Sequence, residues 1–259
     1  MKPWGLRTAL IIFLGASAAW LHGEAPSPQK GNPALVGIWE RVDLKDPELL
    51  RYYFFHPKGI GLYRYGKDTL NHTEIFEYDT RGDTLHLRFK KSRQRVAVPF
   101  SVERINGQAW LKLKEDPRER RRAVRYRLRP RPGRSLRAPS GHPFARTWIR
   151  HVPQGFRMYQ FQPPNDAGQG RGWFHHGDFD EWTTESLAYQ RSGDVLRLRF
   201  DETRQTETTP IREVRRGGQR VLELERDPRN FWHHQVLRDA GPSFMSSEEA
   251  LQFFLDRNR

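Results

Sequence analysis

The chain carries one stretch of sequence twice. Tyr78 to Phe89 returns as Tyr189 to Phe200, with Gly82-Asp83 matching Gly193-Asp194, and Leu85, Leu87 and Phe89 matching Leu196, Leu198 and Phe200. The register then holds without a gap. Pro99 matches Pro210, Gly107-Gln108 matches Gly218-Gln219, Leu111 and Leu113 match Leu222 and Leu224, and Asp116-Pro117-Arg118 matches Asp227-Pro228-Arg229. Every pair is 111 residues apart. Trp39 and Trp148 are 109 apart, so short insertions separate the tryptophan from the tyrosine. A self-match this long is the signature of a duplicated folding unit. It divides the chain into a first repeat over 34–130 and a second over 144–242, each long enough for its own core.

Within a repeat, local patterning calls for short strands. In the first, Leu35–Asp43, Leu50–His56, Ile60–Tyr65, His72–Tyr78, Thr84–Phe89, Val96–Arg104, Gln108–Lys114 and Ala123–Leu128 are bounded by Gly, Pro and Asn turn residues. Asn106-Gly107 is a strong two-residue hairpin signal. Leu85, Leu87 and Phe89 alternate with His86 and Arg88, and Leu111 and Leu113 alternate with Lys112 and Lys114. Strict alternation means a sheet with one wet face. Eight such strands can close on themselves and so remove the exposed edges. The expected fold is all-β: two tandem antiparallel eight-stranded barrels. A short C-terminal helix is expected within 243–259, where Ser246 and Glu249 form a capping box and Leu251, Phe254 and Leu255 share a stripe.

The first 25 residues read as a signal peptide. Lys2 and Arg7 precede an apolar run beginning Ala9-Leu10-Ile11-Ile12, and small residues follow at Ala16-Ser17-Ala18 and Ala25. The chain has no cysteine, which rules out disulfides and thiolate metal sites and suits a secreted or periplasmic protein of a bacterial envelope. The net charge is +14, and this excess lies before Pro143; from Phe144 onward bases and acids nearly cancel. Much of it is one run, Arg118, Arg120, Arg121, Arg122, Arg125, Arg127, Arg129 and Arg131, leading into a Pro/Arg-rich linker over 131–143. Such a strip attracts polyanions.

Several residues carry a further resemblance. These are Gly37-Ile38-Trp39 at the first strand, the turn from Phe55 to Gly59, Tyr78 with Gly82-Asp83, the alternating Leu85-Leu87-Phe89, and Gly107 before Leu111 and Leu113. Together they resemble the small bacterial lipocalin-like domains of the calycin group. The second repeat departs at Arg146-Thr147-Trp148, which lacks the glycine. The resemblance implies secretion, while the fold alone does not settle function. It also implies a basic residue near the end of the last strand that packs across the first-strand tryptophan, a part that falls to Arg127 with Trp39 and to Arg238 with Trp148. The group's larger members carry apolar ligands; a small barrel either holds one small ligand or is filled by its own side chains.

Other candidates read more simply as structure. His175-His176 with Asp178, Asp180 and Glu181 is a conceivable metal cluster, but adjacent residues on a strand point to opposite faces; His233-His234 has the same difficulty. Asp116-Pro117-Arg118 and Asp227-Pro228-Arg229 read as turns, the aspartate accepting backbone hydrogen bonds. Glu74 and Glu185 correspond between repeats, yet spacing alone does not put two carboxylates in one cleft. No catalytic residue, metal or cofactor is expected. The expected function is a secreted or periplasmic binding protein. Its basic first unit would engage an anionic lipid, polysaccharide or other polyanion through Arg118, Arg120, Arg121, Arg122, Arg125, Arg129 and Arg131, with room for a small apolar ligand in a barrel. The alternative is a structural or interaction module of the cell envelope with filled barrels; a hydrolase comes third.

Overall fold

A computed structural model describes residues 29–129 and 142–242 of the chain. The signal segment, the linker residues 131–141 with Arg131, and the C-terminal helix expected in 243–259 lie outside the described residues. The described chain is all-β, with one short 3-10 turn at Pro228–Asn230. After the two-residue β1 (Gln29–Lys30) come β2 (Gly37–Arg41), β3 (Leu49–His56), β4 (Ile60–Lys67), β5 (Leu70–Arg81), β6 (Thr84–Phe89), β7 (Arg95–Ile105), β8 (Gln108–Asp116) and β9 (Arg122–Leu128). Each pairs antiparallel with the next, and β2 pairs back with β9, closing an eight-stranded barrel.

The second half has β10 (Arg146–Val152), β11 (Gly155–Phe161), β12 (Gln169–Gly177), β13 (Glu181–Ser192), β14 (Val195–Phe200), β15 (Thr206–Arg216), β16 (Gln219–Asp227) and β17 (His233–Pro242). Its antiparallel pairings follow the same order, with β10 against β17. The turn chemistry matches the sequence. Asn106 and Gly107 both have positive φ, at 51° and 79°, between the paired Ile105 and Gln108. This is the two-residue geometry that follows the twist of the flanking strands.

The interiors are filled by large side chains. Within β2–β9, Trp39, Tyr53, Phe55, Tyr63, Phe76, Tyr78 and Phe89 pack with Leu85, Leu87, Leu111 and Leu113. Within the second run, Phe144, Trp148, Tyr159, Phe161, Phe174, Tyr189 and Phe200 pack with Leu196, Leu198, Leu222 and Leu224. Tyr159 and Phe161 stack at 5.8 Å between ring centres, and Tyr53 meets Tyr126 edge-on at 5.3 Å; offset and edge-to-face geometries are those that aromatic quadrupoles favour.

The two halves are hydrogen-bonded to each other, a connection that the sequence reading did not anticipate. The N-terminal part of β5 pairs antiparallel with the start of β13: Glu74 faces Glu181, His72 faces Thr183, and Leu70 faces Glu185. His72 and Thr183 are themselves repeat equivalents, 111 residues apart, and Glu74 and Glu185 exchange places about them. Equivalent strands therefore meet about a local twofold axis, as in an isologous interface. Behind this seam a third apolar cluster joins Tyr52, Phe54, Leu62 and Ile75 of the first half to Ile149, Phe156, Met158 and Trp182 of the second.

Candidate functional site

A buried polar cluster occurs at the equivalent place in each repeat. It is made by a bulge. Ala109, Leu111 and Leu113 point inward in strict alternation, which would put position 115 inside. The register shifts between Leu113 and Asp116, so Asp116 turns inward instead, and Glu115 stays exposed. In the second repeat the same shift lies between Leu224 and Asp227. Both aspartates are fully buried.

Asp116 Oδ1 accepts from the Tyr53 hydroxyl at 2.9 Å and from the Arg118 backbone N–H at 2.9 Å; Oδ2 accepts from the Tyr126 hydroxyl. Asp227 Oδ1 accepts from Tyr159 at 2.7 Å and from the Arg229 N–H at 2.9 Å. Position 126 becomes Leu237 in the second repeat, and Asp227 Oδ2 is buried without a hydrogen-bond donor. Burial raises the Asp227 carboxyl above the ordinary aspartate range, outweighing the Tyr159 and Arg229 hydrogen bonds. Burial, with the Asp116 charge beside them, holds the Tyr53 and Tyr126 hydroxyls well above the usual phenol value. These tyrosines are donors at every ordinary pH.

The arginine of each turn is also spoken for. Arg118 pairs with Glu74 and lies 3.7 Å from the Phe89 ring centre; Arg229 pairs with Glu185 and lies 3.7 Å from the Phe200 ring centre. Burial holds both glutamates above the ordinary range against the pull of these arginines. Sequence reading placed Arg118 in an anion-binding strip. The structure corrects this: a half-buried guanidinium held by a carboxylate and an aromatic face is an internal strut. The correspondence of Glu74 with Glu185 was visible in the sequence, and the partner of each is the turn arginine rather than a second carboxylate.

The seam gathers further titratable groups. His72 and Thr183 are hydrogen-bonded at 3.0 Å, Tyr65 packs on His72 at 5.4 Å, and His176 Nε2 lies 3.9 Å from Glu185. His175 points the opposite way from His176, as strand geometry requires. It is fully buried, its ring nitrogens meeting Thr184 at 2.8 Å and Gln160 at 3.3 Å. Burial, with Arg64 and His176 nearby, pushes its pKa down to about 3, so it is neutral. Among the described residues no group of three His, Asp or Glu side chains is arranged to hold a metal ion. His233 and His234 are exposed at the start of β17.

The expected barrel-closing contacts are not those observed. On β9, Leu128 faces Trp39 and Arg127 faces Glu40, so alternation sets Arg127 on the opposite face from the buried indole. Arg127 is exposed, with Glu40 at 3.9 Å. Arg238 is likewise exposed and faces Ile149, not Trp148. The indole Nε1 of Trp39 donates to the Leu35 carbonyl at 2.6 Å, and that of Trp148 to the Phe144 carbonyl at 3.4 Å. The cation beside Trp148 is Arg220, 5.7 Å from the ring centre.

The rest of the arginine strip is on the outside. Arg120, Arg121, Arg122, Arg125 and Arg129 are exposed. Arg129 pairs with Glu40 at 3.0 Å. Lys112 faces Arg125 directly across β8 and β9, and like charges so placed repel. Among the described residues, Lys112, Lys114, Arg120, Arg121, Arg122 and Arg125 make no ion pair. Glu115 stands exposed among them, while Glu119 is bound by Arg41 and Arg51. In the second repeat the same positions hold Glu223, Glu225, Phe231, Trp232, His233 and Val236. Comparisons with protein-family models, with curated proteins and with solved structures found no match to this chain.

Proposed function

We propose that this chain is a secreted or periplasmic, non-enzymatic binding protein. In this reading its halves are tandem lipocalin-like barrels, and the outer face of β8 and β9 engages an anionic partner. The supporting observation is the set of uncompensated cations: Lys112, Lys114, Arg120, Arg121, Arg122 and Arg125 gather on one face and one turn with no internal ion pair among the described residues. The second repeat supplies a control. The same backbone positions there hold acidic, aromatic and aliphatic residues, so the fold does not need the cations. The aromatic filling of both interiors supports action at the surface over a ligand held inside. The buried Asp116 and Asp227, and the arginine-bound Glu74 and Glu185, support a structural over a hydrolytic role.

The test is titration of the full chain with heparin as a soluble polyanion at several salt concentrations. Affinity should fall steeply as salt rises, because exposed charges are screened within about 8 Å at physiological ionic strength. The variant Arg120→Gln, Arg121→Gln, Arg122→Gln, Arg125→Gln should lose on the order of tenfold or more in affinity at low salt, since each exposed contact of this kind contributes only a few tenths of a kcal/mol and several act together. Equal affinity of the two proteins would reduce the strip to solvated surface.

A further inference from the structure

The turn that closes each Asp-Pro-Arg motif has the same unusual backbone in both repeats. Arg120 and Arg121 have φ of 53° and 57°; Phe231 and Trp232 have φ of 55° and 57°. Two consecutive left-handed residues, neither a glycine, are costly and persist only where surrounding structure over-determines them. Here the determinant is the buried aspartate. Its carboxylate caps the N–H of Arg118 or Arg229, and its carbonyl accepts from the N–H of Arg121 or Trp232 at 2.9 Å. The fold therefore holds out two side chains at this place in each repeat, and the repeats differ in which two. The first presents guanidinium groups. The second presents Phe231, 77% exposed, and Trp232, 51% exposed.

Both turns reach the same, inward face of the paired seam strands. His72, Glu74 and Leu70 alternate onto one face of β5, and Thr183, Glu181 and Glu185 onto the matching face of β13, because residues paired across strands share a face. Arg118 reaches Glu74 and Arg229 reaches Glu185. Each strut draws its turn toward this common side of the seam. The local twofold thus sets a cationic turn and an aromatic turn on either side of one axis.

We infer that these two turns form one docking surface for an anionic lipid bilayer, with Phe231 and Trp232 entering the interfacial region and Arg120, Arg121 and Arg122 meeting the headgroups. This rests on the anionic-partner reading above and names the partner. A soluble polyanion is served by the cations alone, whereas an exposed phenyl and indole side by side match the amphipathic depth of a membrane interface, where tryptophan is enriched. Stable attachment to a bilayer generally requires two signals, an apolar one and a polybasic one. The duplicated turn supplies one in each repeat.

The experiment uses the full chain with three probes: vesicles of phosphatidylcholine mixed with phosphatidylglycerol, vesicles of phosphatidylcholine alone, and soluble heparin. Two variants are compared, Phe231→Ser with Trp232→Ser, and Arg120→Asn with Arg121→Asn and Arg122→Asn. Circular dichroism verifies that each keeps the fold, as expected for exposed positions. The wild type should co-sediment with the anionic vesicles far more than with the neutral ones. The aromatic variant should lose about tenfold or more in partition to anionic vesicles, the scale of one buried aromatic side chain, while its heparin affinity is unchanged. The arginine variant should lose both. Anionic-vesicle binding by the aromatic variant equal to wild type would overturn the lipid inference and leave the anionic-partner reading standing. Loss of heparin affinity in the aromatic variant as large as its loss on vesicles would also overturn it, assigning the aromatic pair to a soluble polyanion. Unchanged heparin affinity in the arginine variant would overturn the underlying reading itself.

Discussion

Asp116→Asn and Asp227→Asn are the same substitution at equivalent positions, and the structure gives them different outcomes. Asp116 accepts three hydrogen bonds, two on Oδ1 and one from Tyr126 on Oδ2. An amide nitrogen in place of Oδ2 cannot accept from Tyr126. A hydrogen bond to a charged group is worth about 1.5–3 kcal/mol, and the two remaining bonds weaken to neutral ones, so the loss should be about 2–4 kcal/mol. Asp227 has no donor on Oδ2. There the amide forfeits no bond and removes an incompletely solvated charge, so the net change at pH 7 should be within about 1 kcal/mol of zero. The pH dependence separates the two further. The folded carboxyl of Asp227 is raised by burial. Its contribution to stability is therefore present in full below the unfolded pKa of about 3.9 and is lost as pH rises through the folded value. Asp227→Asn should remove that slope. Urea unfolding followed by fluorescence, at pH 7 and at steps down to pH 4, gives both quantities if the urea slope stays constant. An Asp227→Asn protein as weakened at pH 7 as Asp116→Asn, or one that tracks the wild type's pH dependence, would refute the assignment of an unpaired oxygen to Asp227.

Two further outcomes follow from the packing. Trp182 is 2% exposed in the cluster joining the two halves; Trp182→Ala should cost about 3–5 kcal/mol and expose the seam to limited proteolysis, and an unchanged urea midpoint would contradict the burial. Gly155 has φ of 146° and a Cβ there would lie 1.9 Å from the Gly177 carbonyl oxygen, whereas a Cβ at Gly193 meets nothing within 4 Å. Gly155→Ala should therefore severely impair folding, while Gly193→Ala should cost only about 1 kcal/mol for its left-handed φ, read out as soluble yield and urea midpoint.

The strands of the first repeat were legible from the turn residues that bound them, and two of them from strict alternation as well. Leu85–Phe89 and Leu111–Leu113 alternate, and the Asn106-Gly107 turn fixes one hairpin's register. The seam was not read, although its signal is present. Tyr52-Tyr53-Phe54-Phe55 and Ile75-Phe76 are apolar without alternation, and all six residues are buried. Such runs belong to strands covered on both faces: Tyr53, Phe55 and Phe76 fill the barrel, while Tyr52, Phe54 and Ile75 meet the second half. The sequence strand His72–Tyr78 likewise grew to Leu70–Arg81, because its first residues pair with β13 and its last run on into the hairpin with β6.

The polar cluster escaped for a different reason. Period-two reasoning keeps a constant parity along β8 and puts Asp116 outside; one bulge reverses the parity, and the repeated Asp-Pro-Arg was the only trace of it. Once the bulge is in place, the roles follow in order. The aspartate turns in and meets a tyrosine hydroxyl, the arginine two residues on crosses an aromatic ring to a glutamate of β5 or β13, and the chain just beyond that arginine is forced into left-handed backbone. The residues 111 apart that stayed the same, Asp116 with Asp227, Arg118 with Arg229, Glu74 with Glu185 and Phe89 with Phe200, are those that hold the turn. The residues that diverged, Arg120 to Phe231 and Arg121 to Trp232, are those it displays. A duplicated turn whose internal contacts match and whose displayed side chains differ separates what the fold requires from what the surface is free to vary, so that one repeat displays guanidinium groups where the other displays aromatic rings.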